Sequence, residues 1–180
     1  MTKLAAALGG TVLATAITAT GSSAWAAPDA PAAAASPAAA SPAAVTKLGQ
    51  MDAANRLRGA GITWSSSGSC TDRNNAHCTS FEQINLATVQ GAITLKNASR
   101  CALNITGGTE TGHASGTYSH WNGYKLDFNP NACLSDYITG TFTYIGRRAG
   151  DGALQYQAGS GNIYARESTH WDVLFYSCGC

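Results

Sequence analysis

The 180-residue sequence carries little charge and no excess of either sign. Lys and Arg total 11 and Asp and Glu total 10, so charged residues make up 12% of the chain and the formal net charge is +1. The basic residues are scattered, and no basic stripe of the kind that neutralises nucleic-acid phosphates is present. We therefore expect no nucleic-acid partner.

The sequence also lacks an apolar run long enough to cross a membrane. The apolar segment near the N-terminus is shorter than the roughly 20 residues that a spanning helix needs, and no basic flank follows it. This segment has one Lys, an Ala-rich apolar run and the small-x-small sequence Ala24-Trp25-Ala26, which is typical of a signal peptidase site. We predict that residues 1–26 are a signal peptide, that the protein is exported, and that no membrane segment remains after cleavage.

The segment after this signal lacks large side chains. Residues 27–46 are almost entirely Ala, Pro and Ser, with no periodic apolar face, which predicts a disordered spacer. Residues 47–180 remain, and their length is that of one domain with one core. No internal repeat occurs in this domain.

The apolar pattern of this domain predicts an α+β fold with one mixed or antiparallel sheet and a few helices. A short helix is predicted over residues 50–59 and a longer one from Thr79 to about Ser99, with capping-box spacing between Thr79 and Glu82. Strands are predicted at residues 102–106, 124–128, 141–145, 163–166 and 170–176.

All six cysteines lie in the predicted domain, and export would expose them to an oxidising compartment. Up to three disulfides are expected, because the cysteine spacings match no common zinc finger. If the first two predicted strands are antiparallel neighbours, Cys101 lies beside Cys133, which makes this pair the preferred disulfide. Two alternatives remain for the polar loop that contains Cys70 and Cys78: these two cysteines close it together, or one of them pairs with Cys178 or Cys180.

Two short clusters contain the side chains with metal chemistry, one at residues 119–127 (SHWNGYKLD) and one at 167–172 (ESTHWD). A catalytic zinc takes three protein ligands from His and carboxylate groups and keeps one position open. His120, Asp127 and His170 supply that set. The seven-residue step from His120 to Asp127 would put them on opposite faces of a straight strand, so a bend is needed, and Gly123 is placed to allow one.

Glu167 precedes His170 by three residues and is the predicted general base. If residues 167–170 form a turn leading into a strand, its carboxylate can reach a water at the metal without being a ligand. In that role it takes a proton from the water during attack on a carbonyl and returns it to the leaving amine. Zinc lowers the pKa of such a water to about 7, so no separate nucleophile is required.

These residues resemble the motifs of a known family. The chain is similar to the zinc D-alanyl-D-alanine carboxypeptidases and related peptidoglycan peptidases of the Hedgehog/DD-peptidase fold, whose motifs are S-x-H-x-x-G-x-A-x-D and E-x-x-H. His120, Gly123 and Asp127 fall in register with the first motif, and Glu167 with His170 reproduces the second. The resemblance implies a Zn²⁺ cofactor, a peptidoglycan stem peptide as substrate, release of its terminal D-alanine, and a secreted or wall-associated bacterial enzyme, which we expect to be a monomer.

The chain departs from the family motifs at three places. Ser119 is adjacent to His120, Lys125 stands where a small residue is usual, and Thr109 lies where many relatives have an Arg that binds substrate. His113 is the first candidate to replace that Arg, followed by Arg147, Arg148 and Arg166. Thr109 and Trp171 are also assigned to substrate binding, with a place in the core as the alternative for Trp171. Asp172 either orients a ligand histidine or is solvated.

Three other functions remain open. The same fold would suit a peptidoglycan endopeptidase, a non-catalytic zinc-containing module that binds the cell wall, or an exported protease with protein substrates. Glu167 favours an enzyme over a binding module, because a purely structural zinc has no use for a carboxylate beside an open coordination position.

Overall fold

Three helices and nine strands occur along residues 45–176, the part of the chain that this computed structural model describes. The predicted signal peptide, nearly all of the predicted spacer, and Cys178 and Cys180 lie outside the described residues. The helices are α1 (Gln50–Gly59), α2 (Leu86–Ser99) and α3 (Ala132–Thr141). The strands are β1 (Lys47–Leu48), β2 (Thr63–Trp64), β3 (Ile84–Asn85), β4 (Asn104–Gly107), β5 (Lys125–Phe128), β6 (Thr143–Arg147), β7 (Leu154–Gln157), β8 (Ile163–Arg166) and β9 (Trp171–Leu174). No helix within residues 45–176 has the length and apolarity to cross a membrane.

Seven of the strands form one sheet in the order β2-β4-β5-β9-β8-β7-β6. β2 and β4 are parallel, and every other neighbouring pair in this sheet is antiparallel. β1 and β3 form a separate antiparallel pair. The predicted α+β class is confirmed, and the sheet is the mixed one of the two alternatives; the Hedgehog/DD-peptidase fold stays a prediction.

The alternation of side chains along the central strands decides which face carries the core. Leu126 and Phe128 of β5 lie opposite Val173 and Trp171 of β9, and all four belong to the buried core. Successive residues of a strand point to opposite faces, so the residues between them face away from this core. The core face packs against buried helix residues, which include Ala53, Leu57, Val89, Ala92, Leu95, Leu134 and Ile138.

The helix predictions are correct for α1 and too long for α2. α1 has the predicted bounds, whereas α2 begins at Leu86 instead of Thr79. Glu82 does not cap its own helix: its Oε2 accepts a hydrogen bond of 2.7 Å from Gln50 N at the start of α1. A carboxylate there satisfies a free N–H group and complements the helix dipole. Thr79 instead donates its hydroxyl to Ser65 O at 2.8 Å.

Five elements were not predicted: α3, β7 and the two-residue strands β1, β2 and β3, of which β3 lies inside the predicted second helix. Asn131 caps α3 by accepting a hydrogen bond of 2.9 Å from Leu134 N. An Asn after Pro130, followed by Leu134 and Ile138 four residues apart, is a helix-start signal that the sequence contains. β7 lies between β6 and β8 in the sheet, in the stretch of chain between the strands predicted at residues 141–145 and 163–166.

Two disulfides occur in the described residues. Cys101–Cys133 is confirmed, because β4 and β5 are antiparallel neighbours as expected. Cys70 pairs with Cys78 and closes the polar loop. The alternative in which one of them pairs with Cys178 or Cys180 is therefore wrong, since both thiols of the loop are already used.

Candidate metal centre

His120 lies in a tight turn that leads into β5. Gly123 N donates to His120 O at 2.7 Å, and Gly123 has a φ of +75°. A Cβ on Gly123 would lie 2.6 Å from Gln83 O and 2.9 Å from Asn85 N, both in the backbone. Only glycine fits this turn, which supplies the bend expected between His120 and Asp127.

The buried His120 ring has a fixed orientation. Its Nδ1 lies 2.7 Å from Gly108 O, and a carbonyl oxygen only accepts, so Nδ1 carries a hydrogen. Nε2 is thereby directed at Oδ1 of Asp127, 3.3 Å away, and at Oδ1 of Asp172, 3.6 Å away. Burial lowers the pKa of His120, but the two carboxylates outweigh burial and raise that pKa to about 10. The space at Nε2 thus favours a positive charge.

Asp127 and Asp172 face each other across β5 and β9 on the side of the sheet away from the core. Both side chains are buried, and among the described residues the Oδ1 atom of each has no hydrogen-bond partner. The close approach of Asp127 requires glycine at position 107, because a Cβ there would overlap Asp127 Oδ2. Two buried carboxylate oxygens without partners are costly unless a cation lies between them.

Glu167 and His170 come together at the two ends of the turn between β8 and β9. Glu167 N donates to His170 O at 3.0 Å, so residues 167–170 form the expected turn. Arg166 donates to both backbone carbonyls of the pair and supports this turn. Glu167 Oε2 lies 3.3 Å from His170 Nε2, and His170 Nδ1 contacts the Thr169 hydroxyl at 3.0 Å.

Each predicted histidine ligand lies at the distance from Asp127 that a tetrahedral metal site requires. Nε2 of His120 and Nε2 of His170 lie 3.3 and 3.4 Å from the same atom, Asp127 Oδ1. Metal bonds of about 2.1 Å at tetrahedral angles put ligand atoms about 3.4 Å apart. Both histidines use Nδ1 for other contacts and present Nε2, the arrangement that outer hydrogen bonds give to metal-binding histidines. The structure thus places both predicted histidine ligands beside the third predicted ligand, Asp127.

His113 is a potential ligand that was not predicted as one. One ligand atom from each of His113, His120 and Asp127 lies within 4.8 Å of the other two, so these three residues form a possible metal-binding group. The His113 ring stacks on His120 with centroids 3.8 Å apart, and its Nδ1 lies 3.7 Å from Asp127 Oδ2. Its Nε2 contacts Glu110 Oε1 at 3.2 Å.

Glu110 holds the backbone beneath these two histidines. Its buried carboxylate accepts hydrogen bonds from Ser80 N at 2.7 Å and from Gly108 N at 3.0 Å. Burial raises the pKa of Glu110, but the hydrogen bonds from His113 and the backbone hold the pKa below its ordinary value. Glu110 therefore stabilises the turn whose carbonyl, Gly108 O, orients His120.

A cavity of about 570 Å³ opens over the centre and carries two cationic side chains. Lys125 Nζ and Arg148 NH1 both donate to Asp172 Oδ2, at 2.6 and 2.7 Å. Burial raises the pKa of Asp172, but His120 and Lys125 lower it well below its usual range. The cavity is lined by Gly112, His113, Ala114, His120, Lys125, Asp127, Arg148, Ala149, Asp151, Glu167, His170 and Asp172.

Among the candidates to replace the missing Arg, His113 and Arg148 line the cavity and two others do not. Arg147 donates to Gly152 O at 2.9 Å, and Arg166 supports the Glu167 turn. Arg148 contacts Glu167 and Asp151 as well as Asp172. The sequence contained no signal that distinguished Arg148 from Arg147, because Arg147 ends β6, Arg148 is the next residue, and the two differ only in the direction of their side chains.

The predicted substrate-binding roles of Thr109 and Trp171 are wrong. Thr109 is fully buried, and its hydroxyl donates to Glu82 O at 2.6 Å. Trp171 is buried in the core, and its Nε1 donates to Ser135 Oγ at 3.2 Å. Neither side chain lines the cavity, so the core alternative holds for Trp171.

Comparison with known proteins adds no assignment: no family model matches the chain, and no curated protein or solved structure matches it.

Proposed function

We propose that this protein is an exported zinc metallopeptidase that releases the terminal D-alanine from peptidoglycan stem peptides. The observation that carries the proposal is that His120 Nε2 and His170 Nε2 both approach one buried oxygen of Asp127, which has no hydrogen-bond partner among the described residues. Glu167 lies beside this centre, 3.3 Å from His170. The substrate class follows from the two motifs that resemble the D-alanyl-D-alanine carboxypeptidases, and the two disulfides agree with export.

His120, Asp127 and His170 would hold the ion. Gly108 O keeps the His120 ring in the orientation that points Nε2 at the site, and the Thr169 hydroxyl contacts the other nitrogen of His170. Zinc, when bound, supplies a water with a pKa of about 7 and polarises the substrate carbonyl.

Glu167 is the proton carrier of the proposed reaction. Its side chain lines the cavity and is 29% exposed, so a water molecule can reach the carboxylate. It takes the proton as the water attacks the scissile carbonyl and donates it to the leaving amine of D-alanine. Arg148 contacts the other carboxylate oxygen, Oε1, which leaves Oε2 on the side of His170.

The test is hydrolysis of a soluble stem pentapeptide ending in D-Ala-D-Ala by the zinc-loaded full chain, followed by mass spectrometry. Glu167→Gln should keep its zinc and lose roughly 10²- to 10⁴-fold in kcat. The matched control is Asp52→Asn, which changes an exposed carboxylate on α1 and should leave kcat and zinc content unchanged.

The outcomes separate the alternative functions. Cleavage of cross-linked muropeptides with the pentapeptide left intact would make the protein an endopeptidase. Equal behaviour of the parent protein and Glu167→Gln, with zinc bound in both, would make it a non-catalytic module and contradict the proposal.

A further inference from the structure

We infer that Lys125 and Arg148 form a clamp for the C-terminal carboxylate of the substrate, so that the site selects peptides with a free C-terminus. This inference rests on the proposed peptidase function and adds to it the chemical feature by which substrate is recognised. Neither residue belongs to the metal ligands or to the base. Lys125 also stands where the resembling motif has a small residue, so the cation is a property of this chain.

The two cations converge on one point of the cavity wall. Lys125 extends from β5 and Arg148 follows the end of β6, yet Lys125 Nζ and Arg148 NH1 lie 2.6 and 2.7 Å from the same oxygen, Asp172 Oδ2. Asp172 is buried and anchored on β9, so it holds both cations in place. Both side chains line the cavity, and Arg148 also pairs with Asp151 and Glu167.

Both cations have donors left for a ligand. An ammonium group has three hydrogens, and among the described residues the one hydrogen bond of Lys125 goes to Asp172. Of the five N–H groups of Arg148, one goes to Asp172 and three go to Asp151 and Glu167, whose side chains are 43% and 29% exposed, so one has no partner among the described residues. Such exposed pairs are weak because water competes for them. A substrate carboxylate can therefore displace solvent or Asp151 without uncovering a buried charge.

The position of the clamp relative to the base fits the geometry of a terminal residue. In a C-terminal residue, one Cα separates the scissile amide nitrogen from the free carboxylate, so the carboxylate site and the proton donor must be adjacent. Arg148 contacts Glu167 directly. A planar guanidinium is also suited to bidentate binding of a carboxylate, with the ammonium of Lys125 beside it.

The experiment measures binding separately from turnover. The zinc-loaded full chain with Glu167→Gln is titrated calorimetrically with diacetyl-L-Lys-D-Ala-D-Ala as the free acid and as the C-terminal amide. We expect the free acid to bind roughly 10- to 100-fold more tightly than the amide. Adding Lys125→Met should reduce this ratio to about 1–3 by weakening only the free acid, whereas Lys125→Arg should preserve it.

Control variants distinguish loss of carboxylate binding from loss of the folded structure. Lys96→Met removes an ammonium that bonds Cys101 O, away from the cavity, and should leave the acid-to-amide ratio unchanged. Zinc content and urea unfolding are checked for every variant. If Lys125→Met does not fold, Arg148→Gln provides the same readout.

Three results would overturn the clamp: equal affinity of the parent for acid and amide, equal weakening of both peptides by Lys125→Met, or no binding of either peptide. The proposed peptidase function is tested separately, by measuring hydrolysis of both peptides by the protein that retains Glu167. Selective binding of the acid with no hydrolysis would contradict the peptidase and keep the clamp. Equal hydrolysis of acid and amide would keep the peptidase and refute the clamp.

Discussion

Asp127 and Asp172 lie directly opposite each other on β5 and β9, and both direct a buried Oδ1 atom at Nε2 of His120. Within residues 45–176, neither Oδ1 atom has a hydrogen-bond partner. Like charges at directly opposite positions of a sheet destabilise it, so the pair needs positive charge close by. On one side it has Lys125 and Arg148, and on the other the imidazole of His120. A metal ion bound beside Asp127 would supply more of this charge and stabilise the fold.

The two possible ligand groups share His120 and Asp127 and differ in the third residue, which is His170 or His113. We predict that His170→Ala weakens zinc binding by at least about 100-fold, whereas His113→Ala weakens it about 10-fold by loosening the ring of His120. Zinc affinity is measured by competition with a chelator. His77→Ala, in the disulfide loop, is the control and should bind zinc like the parent. The reverse order of the two effects would assign the site to His113.

Asp172 anchors two partly buried cations, so its removal should be costly. We expect Asp172→Ala to lower the free energy of unfolding by about 3 kcal/mol, because Lys125 and Arg148 lose their buried partner. Asp52→Ala removes an exposed ion pair with Arg56 and should cost about 0.5 kcal/mol. Urea unfolding of the two variants provides the comparison, and equal losses would contradict the anchoring role.

The turn at Gly123 should be intolerant of any side chain. Gly123→Ala places a Cβ against backbone atoms at a φ of +75°, so we predict a loss of more than about 2 kcal/mol in stability together with weaker zinc binding. Gly140 lies in α3 with open space around it, and Gly140→Ala should stabilise the protein by about 0.5–1 kcal/mol. Thermal unfolding and zinc titration measure both effects. Normal zinc affinity in Gly123→Ala would show that the turn does not position His120.

The Cys70–Cys78 loop should support the metal centre through Arg73. The Arg73 guanidinium lies 3.7 Å from the centre of the Trp121 ring and donates to the backbone carbonyls of Trp121 and Thr109. Replacing both cysteines of this loop with Ser should cost about 2–3 kcal/mol and weaken zinc binding about 10-fold.

The second disulfide provides the control for this prediction. The same double replacement at Cys101 and Cys133 should cost about 3–4 kcal/mol with little change in zinc affinity, because that bridge joins the end of α2 to the start of α3. Equal changes in zinc affinity for the two variants would mean that the effect is one of general stability.

The stability of the protein should fall at alkaline pH because of Tyr164. Burial raises the pKa of this phenol above its ordinary value of 10.0, with a smaller contribution from Tyr137. The unfolded chain therefore ionises first, and the stability present below pH 10 is lost as the pH rises above that value. Tyr164→Phe should flatten the decline between pH 9 and about pH 11 in urea unfolding, whereas Tyr144→Phe, at an exposed position, should not. Parallel curves for Tyr164→Phe and the parent would contradict the prediction.

Sequence reasoning succeeded where the deciding interactions are local. The helix from Gln50 to Gly59 follows from apolar residues at helical spacing. The predicted capping role of Glu82 in the second helix was wrong, because this carboxylate instead caps α1, which begins 32 residues earlier in the chain. Helix α3 was missed although its signals are local, because the Asn131 cap and the apolar residues at helical spacing are both present in the sequence.

For the candidate site, the residue types and their approximate grouping could be predicted from the sequence: two histidines and an aspartate with metal chemistry, a glutamate three residues before the second histidine, and a glycine where a bend is required. Which cations reach the cavity and which residues are buried depends on tertiary packing. Arg148 lines the cavity, whereas Thr109 and Trp171 are buried in the interior. Strand pairing and packing, and not spacing along the chain, set the direction in which each side chain points. The opposition of Asp127 and Asp172 comes from the pairing of β5 with β9, two strands that are far apart in sequence.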